Sequence, residues 1–579
     1  MPSHPETATS ATALPRTAPR PPAAPGGRSR TTVRSRRFRS RLGLAAALAV
    51  LPATAACAGS ATTPSGAADG GKPVDGGTLT LAVPYGPTCL DPHQGQADAL
   101  FSRAALDSLV WQDDSGTIQP WLAKSWTISD DQKTYTFVLR EGVTFSDGTA
   151  FDAAAVKANL DHVVAPATKS AGAAQLIENY RSARVVDPKT VEVTLAAPAS
   201  SFLTGLASPS LGIESPATLA GDPKALCSKI VGTGPFTSAE GFTPQQGITY
   251  QRRADYAWAP DGAVNRGAAH LDRLTVRIVP DNASRQGALT SGQADAAAAI
   301  APVNVAKLKA DPKFSVHSAV SPGVPWSLNP NTEKGPLTDV RLRKALRNGI
   351  DWHLIVQKLY FGVSPAATGA LSPSTPQYAA SVAGQYGYDA AAAGKLLADA
   401  GWTARDAEGY RTKDGKRLSL DFLYIGEYFG QYTALATQIQ AAAKDLGIEI
   451  RNQNLDTGTY VKRVLAGDYD LLNSSANNSS PDALRLVFGS AHVPTAKIDN
   501  NAARYRDDQV DAQLAEALAT TDVQRQKALY TAVQQKIGDD AAILPVFNNT
   551  YVLGTSARVR GVVFEQQSFP NFADTWLAP

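Results

Sequence analysis

Hydrophobic and polar residues follow two regular patterns along most of the chain after residue 76. Residues 77–83 (GTLTLAV) and 135–139 (YTFVL) alternate as half-buried β-strands do. Apolar residues recur at helical spacing in 101–111 and again in 153–164, where Asp152 can cap the helix start. Strand and helix patterns therefore succeed one another, which predicts a mixed α/β protein.

Turn residues separate these segments. The polar run 129–133 predicts a turn between two strands, and 183–195 predicts a hairpin around an Asp-Pro turn. The sequence VGTGPF at 231–236 contains Gly-x-Gly, which also occurs in phosphate-binding loops. It lacks the third glycine, and Pro235 removes an amide donor, so we interpret it as a structural turn.

The chain has 579 residues, which is too long for one hydrophobic core and predicts two or three domains. Apolar residues make up 43% and charged residues 18%, as in ordinary globular proteins. The net charge of +3 arises from a basic excess before residue 42. Because no basic stripe is interleaved with aromatic residues, nucleic-acid binding is not expected.

Residues 1–56 have the composition of a basic leader and signal peptide. A basic cluster (VRSRRFRSR) precedes an apolar run over 42–56, which is too short to span a membrane. Small residues then lead into Cys57 and a flexible tether over 57–74, as in bacterial lipoprotein signals. We predict lipidation of Cys57. Because Thr54 replaces the usual Leu, ordinary signal-peptidase cleavage after Ala56 stays open.

Two cysteines remain after Cys57, and both belong to the exported part of the chain. Cys89 and Cys227 are an even pair in an oxidising compartment, which favours a disulfide. Two reduced, buried thiols are the alternative.

Catalytic motifs are missing from the sequence. It contains no HExxH, Gly-x-Ser-x-Gly, Cys-x-x-Cys or Walker loop. The seven histidines are scattered, and His93, beside Asp91, is the one worth testing for metal binding. We predict no enzyme activity, no metal site and no cofactor.

Residues 118–156 (IQPWLAKSWTISDDQKTYTFVLREGVTFSDGTAFDAAAV) resemble the signature of the family 5 extracellular solute-binding proteins. These are the oligopeptide-, dipeptide- and nickel-binding components of ABC importers. Further similar segments lie at 232–235, 335–351 and 388–402, so the resemblance covers nearly all of residues 77–579.

The resemblance implies a two-lobed α/β fold of the type II periplasmic-binding-protein class, with an enlarged first lobe and two crossover strands near 324–328 and 544–548. The expected domains are lobe one at 75–321 with a subdomain at about 115–210, lobe two at 322–544, and a return to lobe one at 545–579. Ligands of such proteins bind between the lobes, which close around a hinge.

In peptide-binding relatives, a loop resembling W..D..DPD sets a carboxylate against the ligand's α-ammonium group. The corresponding stretch here is 472–485, where the Trp is missing and Asp482 is retained. Asn477 or Asn478, together with Ser480, stands where relatives often carry acids, and neutral groups suit a neutral polar ligand or a peptide backbone. The alternative is a solvated Asn/Ser turn.

Other cleft residues are expected at the end of the first strand, on the first crossover and after the strand at 418–424. Their aromatic rings can stack on a ligand or fill the core. The predicted ligand-binding residues are Tyr85, Trp326, Asn329, Glu427, Tyr428, Asn473, Asn477, Asn478, Asp482 and Arg485.

The sequence therefore predicts an extracytoplasmic, monomeric receptor that delivers a small polar solute, with a short peptide favoured, to an ABC permease. It would be held on the outer face of the membrane by its lipid, or be secreted in soluble form. A sugar, an opine-like solute or a metal chelate are alternative ligands. A secreted hydrolase and a signalling receptor are the alternatives from other classes.

Overall fold

The computed structural model of the chain describes residues 71–95, 99–170, 172–238, 240–425 and 431–579. The predicted leader, Cys57 and most of the tether lie outside these residues, as do Glu427 and Tyr428. In the part that is described, every helix is too short or too polar to cross a membrane.

The described strands are numbered in chain order. They are β1 (Thr78–Val83), β2 (Val110–Gln112), β3 (Ile118–Pro120), β4 (Ala123–Ile128), β5 (Thr134–Leu139), β6 (Tyr180–Asp187), β7 (Thr190–Leu195), β8 (Phe236–Thr237), β9 (Gly247–Arg252), β10 (Arg273–Ile278), β11 (Ala296–Ala298), β12 (Phe314–Val320), β13 (Gly323–Pro330), β14 (Ala404–Arg405), β15 (Arg411–Lys413), β16 (Lys416–Arg417), β17 (Ser419–Tyr424), β18 (Glu449–Asn454), β19 (Leu471–Asn477), β20 (Leu544–Phe547), β21 (Thr550–Ser556), β22 (Val559–Arg560), β23 (Val563–Phe564), β24 (Pro570–Asn571) and β25 (Trp576–Leu577).

The described α-helices are numbered in the same way. They are α1 (Ala99–Arg103), α2 (Ala153–Val164), α3 (Ala173–Leu176), α4 (Phe202–Ala207), α5 (Pro216–Leu219), α6 (Pro223–Leu226), α7 (Asn282–Thr290), α8 (Pro302–Ala310), α9 (Val340–Gly349), α10 (Trp352–Tyr360), α11 (Ala390–Asp399), α12 (Gln431–Asp445), α13 (Thr457–Ala466), α14 (Ala483–Phe488), α15 (Asp508–Ala519) and α16 (Val523–Asp539).

The largest sheet has seven strands in the order β12-β21-β11-β1-β10-β9-β8. Its strand β1 is parallel to both β10 and β11, and Leu79 and Leu81 on β1 are fully buried. The alternation read from residues 77–83 is therefore that of a central strand with apolar side chains in the core.

A second sheet has five strands in the order β18-β17-β19-β13-β20. Helices α9–α12 pack against it through a core that includes Phe422, Leu346 and Ile439. We call the part built on this sheet lobe two. The part built on the seven-stranded sheet, together with a four-stranded sheet described next, is lobe one.

The four-stranded sheet, ordered β4-β5-β7-β6, forms the subdomain of lobe one. Tyr135, Phe137 and Leu139 of β5 point into its core. Helix α2 covers it and begins where predicted, because the Asp152 carboxylate accepts a hydrogen bond of 2.9 Å from the Ala155 amide. An aspartate in this position satisfies an amide that the first helical turn leaves without a partner.

The chain passes from one large sheet to the other twice, and the two passages are neighbours. It leaves β12 to enter β13, and it returns from β20 into β21. The Ser321 amide donates to the Asn549 carbonyl at 2.8 Å, which joins the passages. The predicted two-lobed α/β fold with two crossover strands is confirmed. The numbered domain boundaries remain predictions.

The helix predicted over 101–111 is wrong beyond Arg103. Helix α1 ends there, and residues 110–112 form β2 instead. The reason lies in Asp107, which is fully buried and accepts hydrogen bonds of 3.0 Å from both Thr233 and Trp258. These distant donors outweigh the local helical pattern.

The Gly-x-Gly turn is structural, as predicted. A Cβ added to Gly232 would lie 2.1 Å from the Ala105 carbonyl oxygen. The Gly234 amide donates to the same oxygen at 2.9 Å. The glycines thus allow two backbone segments of lobe one to touch, a contact that a side chain would block.

Candidate functional site

A polar cleft lies where the subdomain of lobe one meets lobe two, with about 340 Å³ of space when its solvent-open mouth is included. Helices α3 and α4 supply one wall, and the loop between β19 and α14 supplies the other. The lining residues are Gln175, Leu176, Ser201, Thr204, Gly205, Ser208, Asn478, Ser479, Ser480, Asp482, Leu486 and Gln567.

The lobe-two wall is shaped by hydrogen bonds within its own loop, residues 478–482. The Asn478 side-chain oxygen accepts from the Ser480 amide at 2.8 Å, and the Ser480 hydroxyl accepts from the Asp482 amide at 3.2 Å. Ser479, Ser480 and Asp482 are each less than 10% exposed. The loop is therefore enclosed by the protein and is not a solvated turn.

Asp482 forms a two-pronged ion pair with Arg485. The Arg485 Nε and Nη2 atoms donate to the two carboxylate oxygens at 2.9 and 2.8 Å. Burial raises the pKa of Asp482, although Arg485 opposes this by favouring the charged form. The one acid retained from the peptide-binding loop thus already has a cationic partner in the protein.

Arg485 also reaches across the cleft to lobe one. Its Nη1 atom lies 2.5 Å from the Glu178 carboxylate, just beyond helix α3. The same nitrogen is 3.3 Å from His492 Nε2, and His492 Nδ1 is 3.2 Å from Asp499. Arg485 therefore links the two lobes while it neutralises Asp482.

A second bridge involves the C-terminal return of the chain. The Asn477 side-chain amide donates to the Gln567 carbonyl at 2.9 Å. The Gln567 side chain in turn lies 3.4 Å from the Ser208 hydroxyl at the end of α4. The lobes are thus joined by direct contacts at Arg485 and at Asn477.

Comparison with known proteins identifies the class to which this architecture belongs. The sequence profile of the bacterial extracellular solute-binding proteins, family 5 (middle region), matches residues 117–493, which is more than half of the chain. The chain belongs to this family. Its members act outside the cytoplasm and pass solutes to ABC importers.

Relatives of this family 5 protein resemble it over most of its length. The glutathione-binding protein GsiB of Salmonella paratyphi A is 30% identical over 533 residues, covering 90% of this chain and 94% of that protein. The structure of NikA from Brucella suis with Fe(III)-EDTA gives a TM-score of 0.76 at 25% identity, covering 86% of this chain and 100% of the other.

The peptide-bound structure of DppA from Helicobacter pylori, in complex with the peptide STSA, supports the fold alone. It gives a TM-score of 0.71 at 23% identity and covers 87% of this chain and 99% of the other.

Two residues predicted for the cleft of this family 5 protein lie in the interior of lobe two and are not among the residues that line this cleft, so their role in ligand binding stays a prediction. Trp326 is 1% exposed and stacks on Phe547 of the neighbouring strand, with ring centroids 5.4 Å apart. Asn329 is fully buried and donates to the Ser474 hydroxyl at 2.7 Å, which ties β13 to β19. Their position on a crossover strand places them in the sheet, where side chains pack against neighbouring strands.

Two further predicted residues lie near the sheets rather than on the cleft lining. Tyr85 follows β1 and is 54% exposed. Asn473 is a half-buried residue of β19 paired with Leu328. Of the predicted residues that are described, Asn478 and Asp482 line the cleft, and Asn477 and Arg485 contact the opposite lobe.

Sequence reasoning missed the lobe-one wall altogether. Gln175 and Thr204 stand on two short helices that were not predicted, and Ser201 and Ser208 flank the second of them. Glu178, the cross-lobe partner of Arg485, was also missed. A run of small hydroxyl residues at 200–210 was the only available signal.

The two exported cysteines lie in lobe one, away from the cleft lining. Cys89 and Cys227 form a disulfide that joins residues 138 positions apart. The Leu90 amide also donates to the Cys227 carbonyl at 3.1 Å. The disulfide joins the loop after β1 to the segment after α6.

Proposed function

We propose that this family 5 protein captures a short peptide or peptide-like solute in the cleft between the subdomain and lobe two, and delivers it to an ABC permease. The observation that carries the proposal is the lining itself. Side-chain amides and hydroxyls from both lobes converge on one cleft. A ligand that bridges the walls gains contacts only when the lobes close, so it favours the closed form.

The chemistry of the lining favours a ligand with many neutral hydrogen-bonding groups. Peptide amides offer both donors and acceptors, which Gln175, Asn478 and the nearby hydroxyls can match. Because Asp482 is already paired with Arg485, we do not expect a lone cation to be the ligand. Glutathione, the ligand in the name of the similar protein GsiB, is the first compound to test.

The proposal includes no catalytic step. It also includes a lipid anchor at Cys57 that holds a monomeric receptor on the outer face of the membrane. A soluble secreted form would bind the same solutes. These points rest on the sequence patterns described above.

Native mass spectrometry of the exported protein tests the proposal first, because a bound solute appears as a mass difference. Calorimetry with glutathione and with neutral tripeptides then gives the affinity. We expect a single site for at least one of these ligands. Tight binding of a sugar or a metal chelate, with no peptide binding, would overturn the peptide assignment.

A further inference from the structure

Three side chains suited to metal binding meet inside lobe one, outside the cleft. One ligating atom from each of Asp91, His93 and His162 lies within 4.8 Å of the others. Asp91 and His93 belong to the loop that follows Cys89, and His162 belongs to helix α2. Asp91 is fully buried, His93 is 1% exposed, and the His162 side chain is 12% exposed.

Both imidazole rings are oriented by groups outside the cluster. His93 Nε2 lies 3.0 Å from the Gly212 carbonyl, which can only accept, so this nitrogen carries a proton. His93 Nδ1 is buried without a hydrogen-bond partner, 3.6 Å from Asp91 Oδ1. His162 Nδ1 faces the Thr168 hydroxyl at 3.4 Å, while its Nε2 is 3.1 Å from Asp91 Oδ2.

This orientation is the one found in metal sites. A ligating histidine holds its outer nitrogen with a carbonyl or hydroxyl group and directs the other nitrogen to the metal. The Asp91 oxygens also accept from the His93 amide at 2.7 Å and from Gln94 at 2.9 Å. A carboxylate oxygen has lone pairs for more than one such partner.

Glu214 adds an independent observation. It is fully buried, and its carboxyl group hydrogen-bonds the side chain of Asp91, which is itself a buried acid. The group faces Asp91. The Asn159 side chain on α2 fixes the backbone of Glu214: it accepts from the Glu214 amide and donates to the Glu214 carbonyl, each at 2.8 Å.

Positive charge that could balance these acids is missing from the described surroundings. Among the ion pairs of the described residues, Asp91 pairs only with the two histidines, and Glu214 has none. Two buried carboxyl groups with no Lys or Arg partner are costly when both are ionised. A divalent cation would neutralise both.

We propose that Asp91, His93 and His162 form a buried divalent-cation site in lobe one, which Glu214 completes through its contact with Asp91. Two imidazoles and two carboxylates are a ligand set that suits zinc, which accepts four nitrogen and oxygen ligands. The ion would join the loop after the disulfide, helix α2 and the segment around Glu214. Because none of the four residues lines the cleft, its role is to hold lobe one together rather than to bind the transported solute.

The opposing explanation is a carboxyl pair. Glu214 would then stay protonated and share its proton with Asp91, and the site would need no metal. The two explanations differ in stoichiometry, because only the first requires one metal ion per chain.

The test uses the exported protein, stripped of metal with a chelator and then titrated with Zn²⁺ alone. Calorimetry and elemental analysis measure affinity and stoichiometry, and thermal unfolding measures stabilisation. The variants are His162→Gln and Glu214→Gln. His270→Gln is the matched control, because His270 pairs with exposed Asp75 far from the cluster in sequence.

We expect one Zn²⁺ per chain and a higher melting temperature with Zn²⁺. His162→Gln should lower the Zn²⁺ affinity by about 100-fold, because loss of even a residue that only hydrogen-bonds a metal ligand costs about 10–100-fold. Glu214→Gln should also bind more weakly, and His270→Gln should bind as the parent does. Circular dichroism of the metal-free variants checks that each is folded. Absence of binding by the parent protein, or equal binding by His162→Gln, overturns the proposal. Either result leaves solute binding in the cleft untouched.

Discussion

The ion pair between Arg485 and Glu178 joins the lobes, so its removal should shift the balance between open and closed forms. Glu178→Gln keeps the size of the side chain and removes its charge. Arg485 keeps Asp482 as its partner in both forms, so the substitution leaves no buried charge alone. Because the Glu178 side chain is 35% exposed, the pair should contribute about 1 kcal/mol to closure.

A contribution of this size corresponds to an affinity about fivefold weaker. Calorimetry with the ligand found by native mass spectrometry measures the change, and small-angle scattering of the free protein reports the lobe separation. Glu192→Gln is the control, because it removes a similar Arg–Glu pair that lies within the subdomain. Glu178→Gln should weaken binding without lowering the melting temperature of the free protein.

Asp482→Asn provides the contrast within the same cluster. It removes the main partner of Arg485 inside a buried site, and breaking such a pair costs about 3–5 kcal/mol. This variant should therefore lower the melting temperature clearly. Unchanged affinity in Glu178→Gln, or an equal loss in Glu192→Gln, would refute the reasoning about closure.

Three further predictions concern the stability of lobe one. Replacing Cys89 and Cys227 by Ser should lower the free energy of unfolding by about 2–5 kcal/mol, measured by denaturant titration against the oxidised parent, and an unchanged midpoint would contradict this. Burial raises the pKa of Asp107 to about 6. The stability that Asp107 contributes is therefore complete below about pH 4 and lost as pH rises through about 6. The free energy of unfolding should fall by about 3 kcal/mol over this range, and unfolding curves of Asp107→Asn at about pH 4 and above about pH 6 should lack this fall. Gly232→Ala should destabilise by more than 2 kcal/mol, because its Cβ would strike the Ala105 carbonyl, and a melting temperature equal to that of the parent would exclude this clash.

Sequence patterns correctly predicted the strands and helix ends that depend on residues only a few positions apart. The alternation at 77–83 predicted β1, and Asp152 predicted the start of α2, because strand alternation and helix capping depend on residues a few positions apart. The helix expected over 101–111 failed for the opposite reason. Buried Asp107 takes its hydrogen bonds from residues more than 120 positions away.

The cleft was predictable on one side only. The resemblance located Asp482 and Asn478, because a loop motif identifies its own residues. The opposite wall depends on Ser201 and its neighbours, about 280 positions earlier, and no short pattern pairs such distant segments. Trp326 was placed in the cleft because the resemblance puts it on the first crossover strand, and its stacking partner Phe547, more than 200 positions later, gives no local signal.

The His93–His162 contact illustrates the same limit. Sequence reasoning singled out His93 beside Asp91 but predicted no metal site, since one His-Asp neighbour pair is too weak a pattern. The second histidine is on helix α2, and Glu214 comes from a third segment. Only the folded arrangement brings Asp91 and the two histidines together and sets Glu214 beside Asp91.

The most direct test of the central claim, that solute binds between the subdomain and lobe two, is calorimetry on a protein whose cleft is filled. Ser201 begins the lobe-one wall and its hydroxyl lies 3.5 Å from Asp482, so Ser201→Trp places a large ring in the space. Ser284→Trp, on the exposed face of α7, is the control. With the ligand identified by native mass spectrometry, or glutathione as the first probe, Ser201→Trp should bind at least about tenfold more weakly than both the parent and the control. Equal affinity in all three proteins would contradict the claim.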